Sequence, residues 1–497
     1  MSTLKTTHER WLHRSFEILP AAISWTLLTS PIWASFIAPY AVAYFIIFFD
    51  IYFFWRAALL GTNAMRGYFK IQSTIKVNWF KKTKQENISW ENVHHIVLIP
   101  TYKEPVEILT RTLTFLAESE FPIKQIRICL ATEKREEKVL EKASFLRNKF
   151  GSRFGQFWIT SHELKSGEIA GKSSNLAYAG RQVQKFIEDA NLNKDFITAT
   201  SCDADVCIHP KYFSFLTYKF LKDSNPYNKF WQAAILFYNN IWRVPILVRV
   251  VQTIYSINGI AQLMMPGSNF NYSTYSTSWR LLEKSDYWDV DVIPEDWHLF
   301  FKALFANKGD IELESIYLPL YADAVEGPTY WESLTAQYVQ NRRWAWGVTD
   351  IAYAVTGFLK YRKKLSFSNF AARFIRAAEQ HILWPVNWWL ITLGATLPPF
   401  LNPSFRYTTL GFYLPKIASV ILSLCIIFFI FVIIVDILMK PPHSEHFKKR
   451  LIPLTIFQYI LLPITGFFFS ALPGMDAHTR LLFGKRLEYR STSKFIK

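Results

Sequence analysis

The feature that most constrains this 497-residue chain is a long run near its start, Ile18 to Phe49, that contains no charged residue. A helix needs about 20 apolar residues to cross the hydrocarbon core of a membrane. The run is too long for one upright helix, and it contains Pro31 and Pro39. We therefore expect a transmembrane hairpin over residues 17–60, which anchors the chain in a membrane.

The two helices of the hairpin are expected at about 17–37 and 40–60. Basic side chains precede the first helix and follow the second, with Lys5 before it and Arg66 after it. The positive-inside rule places both flanks on the cytoplasmic side of the membrane. The N-terminal segment 1–16 is therefore predicted to be cytoplasmic, and the polar segment after the hairpin is predicted to be cytoplasmic too.

Three further apolar runs near the C-terminus predict a transmembrane region over residues 381–475. They are Ile382–Phe405, Ile417–Val435 and Leu451–Met475. A basic stretch that ends in Lys448, Lys449 and Arg450 follows the second run. By the same rule this stretch is cytoplasmic, so the first run leaves the cytoplasm and the second returns to it.

The third of these runs conflicts with the rule if it crosses the membrane once. A single crossing would put the basic tail, residues 476–497, on the outside. Breaks at Pro463, Gly466 and Pro473 would instead allow a re-entrant or hairpin segment that keeps the tail in the cytoplasm. The sequence leaves both arrangements open.

The composition fits a polar domain attached to this membrane region. Hydrophobic residues make up 51% of the chain and charged residues 19%, a mixture typical of neither a wholly soluble nor a wholly embedded protein. The net charge of +17 is explained by positive loops that face anionic lipid, because no basic run carries a nucleic-acid-binding motif. We expect an integral protein of the plasma or inner membrane, with membrane lipid and no nucleic acid among its partners.

Between residues 92 and 350 the pattern changes to alternating strand-like and helix-like segments, which predicts an α/β domain with a mainly parallel, Rossmann-like sheet. The predicted strands are Val93–Pro100, Ile126–Thr132, Phe157–Thr160 and Phe196–Thr200. Polar residues follow these strands, where open α/β sheets bind ligands. No G-x-G-x-x-G or P-loop motif follows any of them, which argues against a dinucleotide dehydrogenase or a P-loop NTPase.

The fourth predicted strand leads directly into Asp203 and Asp205. In a turn at a strand end, both carboxylates can approach one site. A hard cation such as Mg²⁺ or Mn²⁺ binds carboxylate and diphosphate oxygens together. The pair alone is weak evidence because Asp-x-Asp is common, but its place after a buried strand makes it a candidate metal site.

Five motifs, taken together and in this order, resemble those of the family 2 glycosyltransferases. They are Pro100–Pro105, Lys172 within Gly171–Leu176, Asp203-Ala-Asp205, Pro294–Trp297 and Gln340–Trp344. The similarity is to the membrane-embedded branch that includes cellulose, hyaluronan and cyclic glucan synthases. It implies a GT-A fold for residues 92–350 and an inverting hexosyltransferase that uses a nucleotide-diphosphate sugar, with UDP favoured as the nucleotide.

The resemblance also implies a donor site and a metal site. The donor-binding set is Thr101, Glu104, Glu133, Lys172 and Asp203, and the metal-binding set is Asp205 with Asp203. Lys172 would provide a compact positive charge near the diphosphate. The alternative interpretation of Lys172 is an ordinary solvated charge, and that of Glu133 is the start of a solvated helix face.

The last two motifs imply the catalytic and acceptor residues. Asp296, preceded by Glu295 near a helix start, is the candidate general base that removes a proton from the acceptor hydroxyl. A single displacement then inverts the anomeric configuration, so an α-linked donor gives a β-linked product. Gln340, Arg343 and Trp344 would close the site, with Arg343 on the departing diphosphate and Trp344 stacked on the acceptor sugar.

After this domain, residues 365–380 place apolar side chains at helical spacing against charged ones, which predicts an amphipathic helix in the membrane interface. Three functions remain open. The chain extends a β-linked polysaccharide or glycan, or it adds one sugar to a membrane lipid acceptor such as a glycolipid. The third alternative, from another class, is a polytopic transport or scaffold protein with an inactive α/β domain.

Overall fold

The structure of the chain is a computed structural model that describes residues 7–442 and 454–487. The basic residues Lys448, Lys449 and Arg450 and the tail beyond residue 487 therefore lie outside the described residues. The described ranges form one mixed β-sheet with helices on both faces, and a set of long apolar helices that packs beside it.

A seven-stranded sheet forms the centre of the polar domain. In chain order, β1 to β7 are His94–Pro100, Ile126–Glu133, Gln156–His162, Ile197–Ser201, Lys229–Leu236, Tyr275–Ser278 and Glu312–Tyr321. Their order in the sheet is β3-β2-β1-β4-β6-β5-β7. Strands β1 to β4 coincide with the four predicted strands and pair in parallel. Strand β6 runs antiparallel to both of its neighbours, β4 and β5, which makes the sheet mixed.

Twenty α-helices accompany this sheet in the described part of the chain. Helices α1 to α7 are Thr7–Ile37, Pro39–Ile75, Trp79–Gln85, Val106–Ala117, Val139–Phe150, Lys172–Asp189 and Tyr212–Lys222. Helices α8 to α13 are Ile246–Gln262, Trp279–Lys284, Glu295–Ala306, Tyr330–Ala345, Thr349–Tyr361 and Phe367–Leu383. Helices α14 to α20 are Asn387–Trp389, Leu397–Leu401, Pro403–Arg406, Thr409–Met439, Leu454–Phe457, Leu462–Gly466 and Leu472–Leu482.

Strand β1 illustrates how the sequence builds the core on both faces of the sheet. Successive side chains of a strand point to opposite faces, so a strand covered on both sides is continuously apolar. Val97 and Ile99 pack into a cluster with α4 and α7, whereas Ile96 and Leu98 pack into a second cluster with α6 and α10. All four side chains are fully buried, and each such burial stabilises the fold by about 1.5–3 kcal/mol.

Three helices are long and apolar enough to cross a membrane: Pro39–Ile75, Thr409–Met439 and Thr455–Leu482. The first is α2, which continues to Ile75, beyond the predicted end of the hairpin at residue 60. No proline interrupts the chain between residues 60 and 75. The C-terminal part of α2 also packs against α8 and β7 of the polar domain, so this helix connects the two parts of the molecule.

Two glycines on α2 allow the close approach that this connection needs. A Cβ atom at Gly61 would lie within 3.0 Å of the backbone of Phe428 on α17. A Cβ atom at Gly67 would lie 2.6 Å from the carbonyl oxygen of Ile260 on α8. Any larger residue at either position would push two packed helices apart.

The other two C-terminal apolar runs differ in regularity. The run Ile382–Phe405 was expected to form one crossing helix, but it is divided into α14, a π-helical turn at Leu390–Gly394, α15 and α16. Prolines at 385, 398, 399 and 403 explain the division, because proline lacks the backbone donor that a continuous helix requires. The described part of the last run is one continuous helical stretch, Thr455–Leu482, in which a 3-10 turn at Gln458–Leu461 and a π-helical turn at Phe467–Ala471 join α18, α19 and α20, and it is not a hairpin.

Candidate active site

A cavity of about 360 Å³ opens at the carboxyl ends of β1, β2 and β4, and α8, α10, α11 and α13 complete it. Every residue that the sequence predicted for the site lines this one cavity. They are Thr101, Glu104, Glu133, Lys172, Asp203, Asp205, Glu295, Asp296, Gln340, Arg343 and Trp344. The six segments of the chain that carry them are far apart in sequence, so the fold alone brings them together.

Lys172, the first residue of α6, holds two of the acidic residues in place. Its Nζ atom lies 2.7 Å from Oδ1 of Asp203 and 2.7 Å from Oε1 of Glu295, and it donates a hydrogen bond of 2.7 Å to the carbonyl oxygen of Ser273. An ammonium group has three N–H donors, so these three acceptors match its full capacity. Burial by itself would lower the pKa of Lys172, but Asp203 and Glu295 outweigh burial and raise the pKa well above its usual value.

Ser273 connects the same acidic groups to Asp296. Its hydroxyl donates a 2.5 Å hydrogen bond to Oδ2 of Asp203, and its backbone N–H donates one of 3.1 Å to Oδ2 of Asp296. The residue has a left-handed backbone, with φ of 55°, which is uncommon for a residue other than glycine. Gln232 on β5 fixes this backbone, because its amide bonds the N–H of Tyr272 and the carbonyl oxygen of Thr274.

Glu295 and Asp296 form the first turn of α10, where Glu295 is buried and Asp296 is partly buried. The backbone N–H of Trp297 donates to Oδ1 of Asp296, so each carboxylate oxygen of Asp296 accepts a backbone hydrogen bond. Burial raises the pKa of Asp296 despite the nearby Lys172 ammonium. Burial also raises the pKa of Glu295 to about 7. Both carboxyl groups are therefore more basic than exposed ones.

Asp205 lies on the other side of the turn that follows β4. Its Oδ2 atom accepts a 3.2 Å hydrogen bond from the backbone N–H of Asp323. The carboxylate of Asp323 is in turn held by Arg111, at 2.6 Å, and by the amide of Asn239, at 3.0 Å. This second network fixes the segment after β7 against the Asp203–Asp205 turn.

The part of the cavity lined by Thr101, Tyr102, Glu104 and Glu133, which we call the β1 wall, is also held by its own polar contacts. The hydroxyl of Thr101 donates a 2.8 Å hydrogen bond to Glu104, and the backbone N–H of Tyr102 donates to the same carboxylate. Arg135 forms a 2.5 Å ion pair with Glu133 and lies 3.8 Å above the ring of Tyr102. Glu133 is the last residue of β2 and is buried, so it does not begin a solvated helix face.

The donor atoms around Asp203 and Asp205 fit a divalent cation such as Mg²⁺ or Mn²⁺. Within the described ranges, no group of three or more His, Cys, Asp or Glu side chains could hold a metal ion without help from a ligand. One or two carboxylates completed by phosphate oxygens and water is, however, the arrangement that Mg²⁺ uses with nucleotides. Asp203 bonds Lys172 and Ser273 through its two oxygens, and Oδ2 of Asp205 accepts the backbone N–H of Asp323, so both carboxylates are held in place beside each other.

Gln340 and Trp344 of the motif on α11 are held by uncharged neighbours. Oε1 of Gln340 accepts hydrogen bonds from the amide groups of Gln252, at 3.2 Å, and Gln337, at 3.4 Å. The ring of Trp344 lies edge to face against Tyr255, with 5.2 Å between the ring centroids. On its other side α11 packs against α20, where Arg342 forms a 2.8 Å ion pair with Asp476. The last apolar helix therefore supports the helix that carries Gln340, Arg343 and Trp344.

Several residues at this site carry no motif signal in the sequence. Ser273 and Asp323 are separated from the Asp203–Asp205 turn by long stretches of chain, and the antiparallel strand β6 that positions Ser273 was not predicted. His298 forms hydrogen bonds with Asp289, at 2.9 Å, and with the cavity-lining Asp350, at 2.8 Å. These carboxylates overcome burial and raise the pKa of His298 to about 9.

No protein-family model matches the chain, and no curated protein matches it. Among solved structures, it is similar to the mannosyltransferase PcManGT from Pyrobaculum calidifontis in complex with GDP-Man and Mn²⁺, with 13% identity and a TM-score of 0.45. That alignment covers 94% of this chain and 100% of the other.

Two other similar structures are more distant. S. aureus TarS 1-349 in complex with UDP-GlcNAc has 14% identity and a TM-score of 0.32, and the alignment covers 65% of this chain and 92% of that chain. GalNAc-T7 with UDP, GalNAc and Mn²⁺ has 12% identity and a TM-score of 0.34, and the alignment covers 60% of this chain and 59% of that chain. At such identities and TM-scores, the similarity carries no conclusion about the activity of this chain.

Proposed function

We propose that this chain is a membrane-bound, inverting glycosyltransferase of the GT-A type that transfers a sugar from a nucleotide-diphosphate donor, with UDP favoured, to a carbohydrate acceptor. The observation that carries the proposal is the convergence of five ordered motifs on a single cavity. Within it, Lys172 and Ser273 connect the acidic pair after β4 to the acidic pair that begins α10. A mixed seven-stranded sheet with helices on both faces is compatible with this fold.

The β1 wall is the proposed site of the nucleotide. Thr101, Glu104 and Glu133 offer hydroxyl and carboxylate oxygens at the carboxyl ends of β1 and β2, which can accept hydrogen bonds from the base and ribose. Their contacts with one another and with Arg135 fix them before a ligand arrives. Such preorganisation reduces the entropy lost on binding.

Asp205 and Asp203 would hold the divalent cation, which neutralises negative charge on the diphosphate leaving group when it is bound. The structure suggests a change in the role of Lys172. Because three protein acceptors match its three N–H donors, Lys172 orients Asp203 and Glu295 and need not touch the diphosphate. Arg343 is then the remaining basic side chain of the cavity for the departing diphosphate.

Asp296 is the proposed general base. Backbone hydrogen bonds to both of its oxygens fix the plane of the carboxylate, and burial raises its pKa toward a value suited to accepting a proton. The acceptor hydroxyl oxygen forms the new bond to the anomeric carbon while the bond between that carbon and the phosphate oxygen breaks. The proton goes to Asp296, the bonding electron pair leaves with the diphosphate, and the configuration at the anomeric carbon is inverted.

The proposed membrane location is supported by apolar helices that precede and follow the catalytic domain in the chain. The three apolar helices contact the elements that build the cavity, because α2 and α17 pack against α8 and α20 packs against α11. We propose that the catalytic domain faces the cytoplasm and that α13, which follows the predicted segment 365–380 closely, lies in the membrane interface. An acceptor or product at the membrane would then be close to the catalytic groups.

The proposal is tested by incubating the purified full chain in detergent or lipid nanodiscs with a panel of nucleotide sugars. We expect nucleotide release that depends on Mg²⁺ or Mn²⁺, and a β-linked product from an α-linked donor, as measured by NMR of the anomeric proton. Product length separates the two acceptor alternatives, since a ladder or high polymer indicates polysaccharide extension and a single lipid-soluble product indicates transfer to a lipid. Absence of turnover with every donor would favour the scaffold alternative.

A further inference from the structure

The part of the cavity that α13 contributes differs in chemistry from the rest. Gln380 and His381 from the last turn of α13, together with Trp384 just after it, line the cavity and form what we call the α13 wall. Asn258 and Gln262 of α8 and Trp297 of α10 line the cavity as well. None of these six side chains is acidic or basic at neutral pH, and no sequence motif covers the α13 wall.

The α13 wall contains buried polar atoms that lack protein partners. Both ring nitrogens of His381 and Nε1 of Trp384 have no hydrogen-bond partner among the described residues. The side chain of His381 is only 4% exposed. A buried polar group without a partner typically costs about 1–3 kcal/mol, so such groups are rare unless a ligand or water completes them. Since His381 lines the cavity, a cavity ligand is the natural partner.

The aromatic rings around His381 form an apolar surface of the kind that contacts the C–H face of a sugar. The centroid of the Trp297 ring lies 5.1 Å from that of His381, and the ring of Trp384 lies nearly parallel to His381 at 6.5 Å. Trp297 is held from behind by Phe270, stacked at 4.4 Å. Rigid aromatic rings beside a few hydrogen-bonding groups are typical of small-molecule sites.

The balance of acidic and basic side chains in the cavity determines whether the α13 wall can bind a charged or an uncharged acceptor. Eight acidic side chains line the cavity in the part of the chain that the structure describes, against two basic ones, Lys172 and Arg343. Lys172 is matched by three protein acceptors, and the proposed function assigns Arg343 to the diphosphate. A phosphate or carboxylate on the acceptor would therefore lie among acidic side chains without a basic side chain of the cavity to pair with it.

We propose that the α13 wall, with Trp297, is the acceptor subsite and that it takes an uncharged pyranose. His381 hydrogen-bonds an acceptor hydroxyl, and Trp384 and Trp297 contact the apolar face of the sugar ring. The sugar belongs to a neutral glycan chain or to a neutral glycolipid headgroup, and the acceptor is not a polyprenyl phosphate. This inference rests on the proposed function, because it identifies the acceptor of the same transfer reaction.

The test measures acceptor use by the full chain in nanodiscs once a donor that supports turnover is identified. Four acceptors are compared: a neutral oligosaccharide, a neutral glycolipid, a uronic acid oligosaccharide and a polyprenyl phosphate. We expect nucleotide release above the acceptor-free rate only with the first two. The relative rates with the soluble oligosaccharide and the glycolipid then distinguish the two sources of the sugar.

Variants connect that preference to the wall. We expect Trp384→Ala to raise the acceptor KM about tenfold, in line with the loss of about 1.4 kcal/mol of ring contact, and to leave the donor KM within twofold. Trp384→Phe keeps an aromatic ring at this position, so we expect a smaller increase in the acceptor KM. This variant controls for a folding defect in Trp384→Ala. His381→Ala also raises the acceptor KM. Trp389→Ala is the matched control, because Trp389 packs against Phe467 outside the cavity and its loss leaves the acceptor KM unchanged.

Three outcomes would overturn the inference. Transfer to polyprenyl phosphate at a rate equal to that with neutral sugars would exclude a neutral acceptor subsite. An unchanged acceptor KM in both Trp384→Ala and His381→Ala would place the acceptor elsewhere in the cavity. A complete lack of turnover with every donor and every acceptor would reject the proposed function itself, and with it this inference. The first two outcomes leave the proposed function intact.

Discussion

The β1 wall and the α13 wall of the same cavity are built on opposite principles. In the β1 wall, protein contacts such as the Thr101–Glu104 hydrogen bond and the Glu133–Arg135 ion pair satisfy the polar side chains. In the α13 wall, both ring nitrogens of the buried His381 and the buried Nε1 atom of Trp384 have no hydrogen-bond partner among the described residues. A site that satisfies its own groups is ready before its ligand arrives, whereas a site with unpartnered groups gains most from its ligand.

Between the two walls lies the network formed by Lys172, Asp203, Ser273, Glu295 and Asp296. It connects the turn after β4 with the start of α10 through contacts of 3.1 Å or less. We infer that this network fixes the distance between the donor phosphates and the general base. Substitutions within it should therefore separate the chemistry of the reaction from the binding of either substrate.

The largest expected effect is that of Asp296→Asn. An amide keeps the shape of the side chain but cannot accept the acceptor proton, so we expect kcat to fall by about 10³-fold or more, with the donor Kd nearly unchanged. Single-turnover transfer assays and calorimetric titration of the donor would measure the two quantities. If the variant kept a tenth of the wild-type rate, another group would have to be the base, and Glu295→Gln would identify it.

A smaller but still large effect is expected for Asp205→Asn. This change removes one carboxylate charge from the candidate metal site, so we expect donor affinity in Mn²⁺ to fall by about 10²-fold and the metal concentration needed for half-maximal activity to rise. Asp323→Asn is the comparison, because Asp323 contacts Asp205 through its backbone N–H and keeps that contact. Equal loss in both variants would argue that the segment after β7, and not the metal, is affected.

Ser273→Ala should have an intermediate effect of about tenfold on kcat. The change removes the hydrogen bond to Asp203 but keeps the backbone contacts to Asp296 and Lys172, so the network is loosened and not lost. Ser273→Gly removes the same hydroxyl and also removes the backbone strain of the left-handed conformation, with φ of 55°, because glycine adopts positive φ readily. Comparison of thermal stability in the two variants separates backbone strain from the hydroxyl contact, and wild-type kcat in both would remove Ser273 from the mechanism.

The smallest expected effect concerns stability and pH. The pKa of His298 is about 9 in the folded protein and about 6.5 in an unfolded chain. Because the folded pKa is the higher one, protonated His298 stabilises the fold fully below about pH 6.5, and this contribution is lost as pH rises through about 9. We expect the Tm to fall by about 4 °C between pH 6.5 and 9.5, and by less in His298→Gln.

His209 provides the control for this pH dependence. Burial lowers its pKa to about 4, so it is neutral in both the folded and the unfolded chain above pH 7.5. His209→Gln should therefore keep the wild-type fall in Tm between pH 7.5 and 9.5. A flat wild-type profile over that range would mean that His298 is not protonated between Asp289 and Asp350.

The sequence alone predicted the elements whose signal is local. Strands β1 to β4 are short stretches rich in apolar and β-branched residues, and their ends carry Thr101, Glu133 and the Asp203–Asp205 pair, so composition and position were sufficient. The five motifs were informative because each is a short stretch with fixed spacing. Helix α2 was predicted too short, because nothing in its own sequence reveals the packing against α8 that extends it to Ile75.

The tertiary structure alone decided the contacts between segments that are distant in the chain. Ser273 carries no motif, and it gained its role because the antiparallel strand β6 lies beside β4. The α13 wall joined the cavity because α13 folds back beside α10 and brings His381 against Trp297. Hydrophobic periodicity and turn chemistry are local properties of a sequence, whereas the burial of an unpartnered imidazole depends on the packing of helices that the sequence does not place.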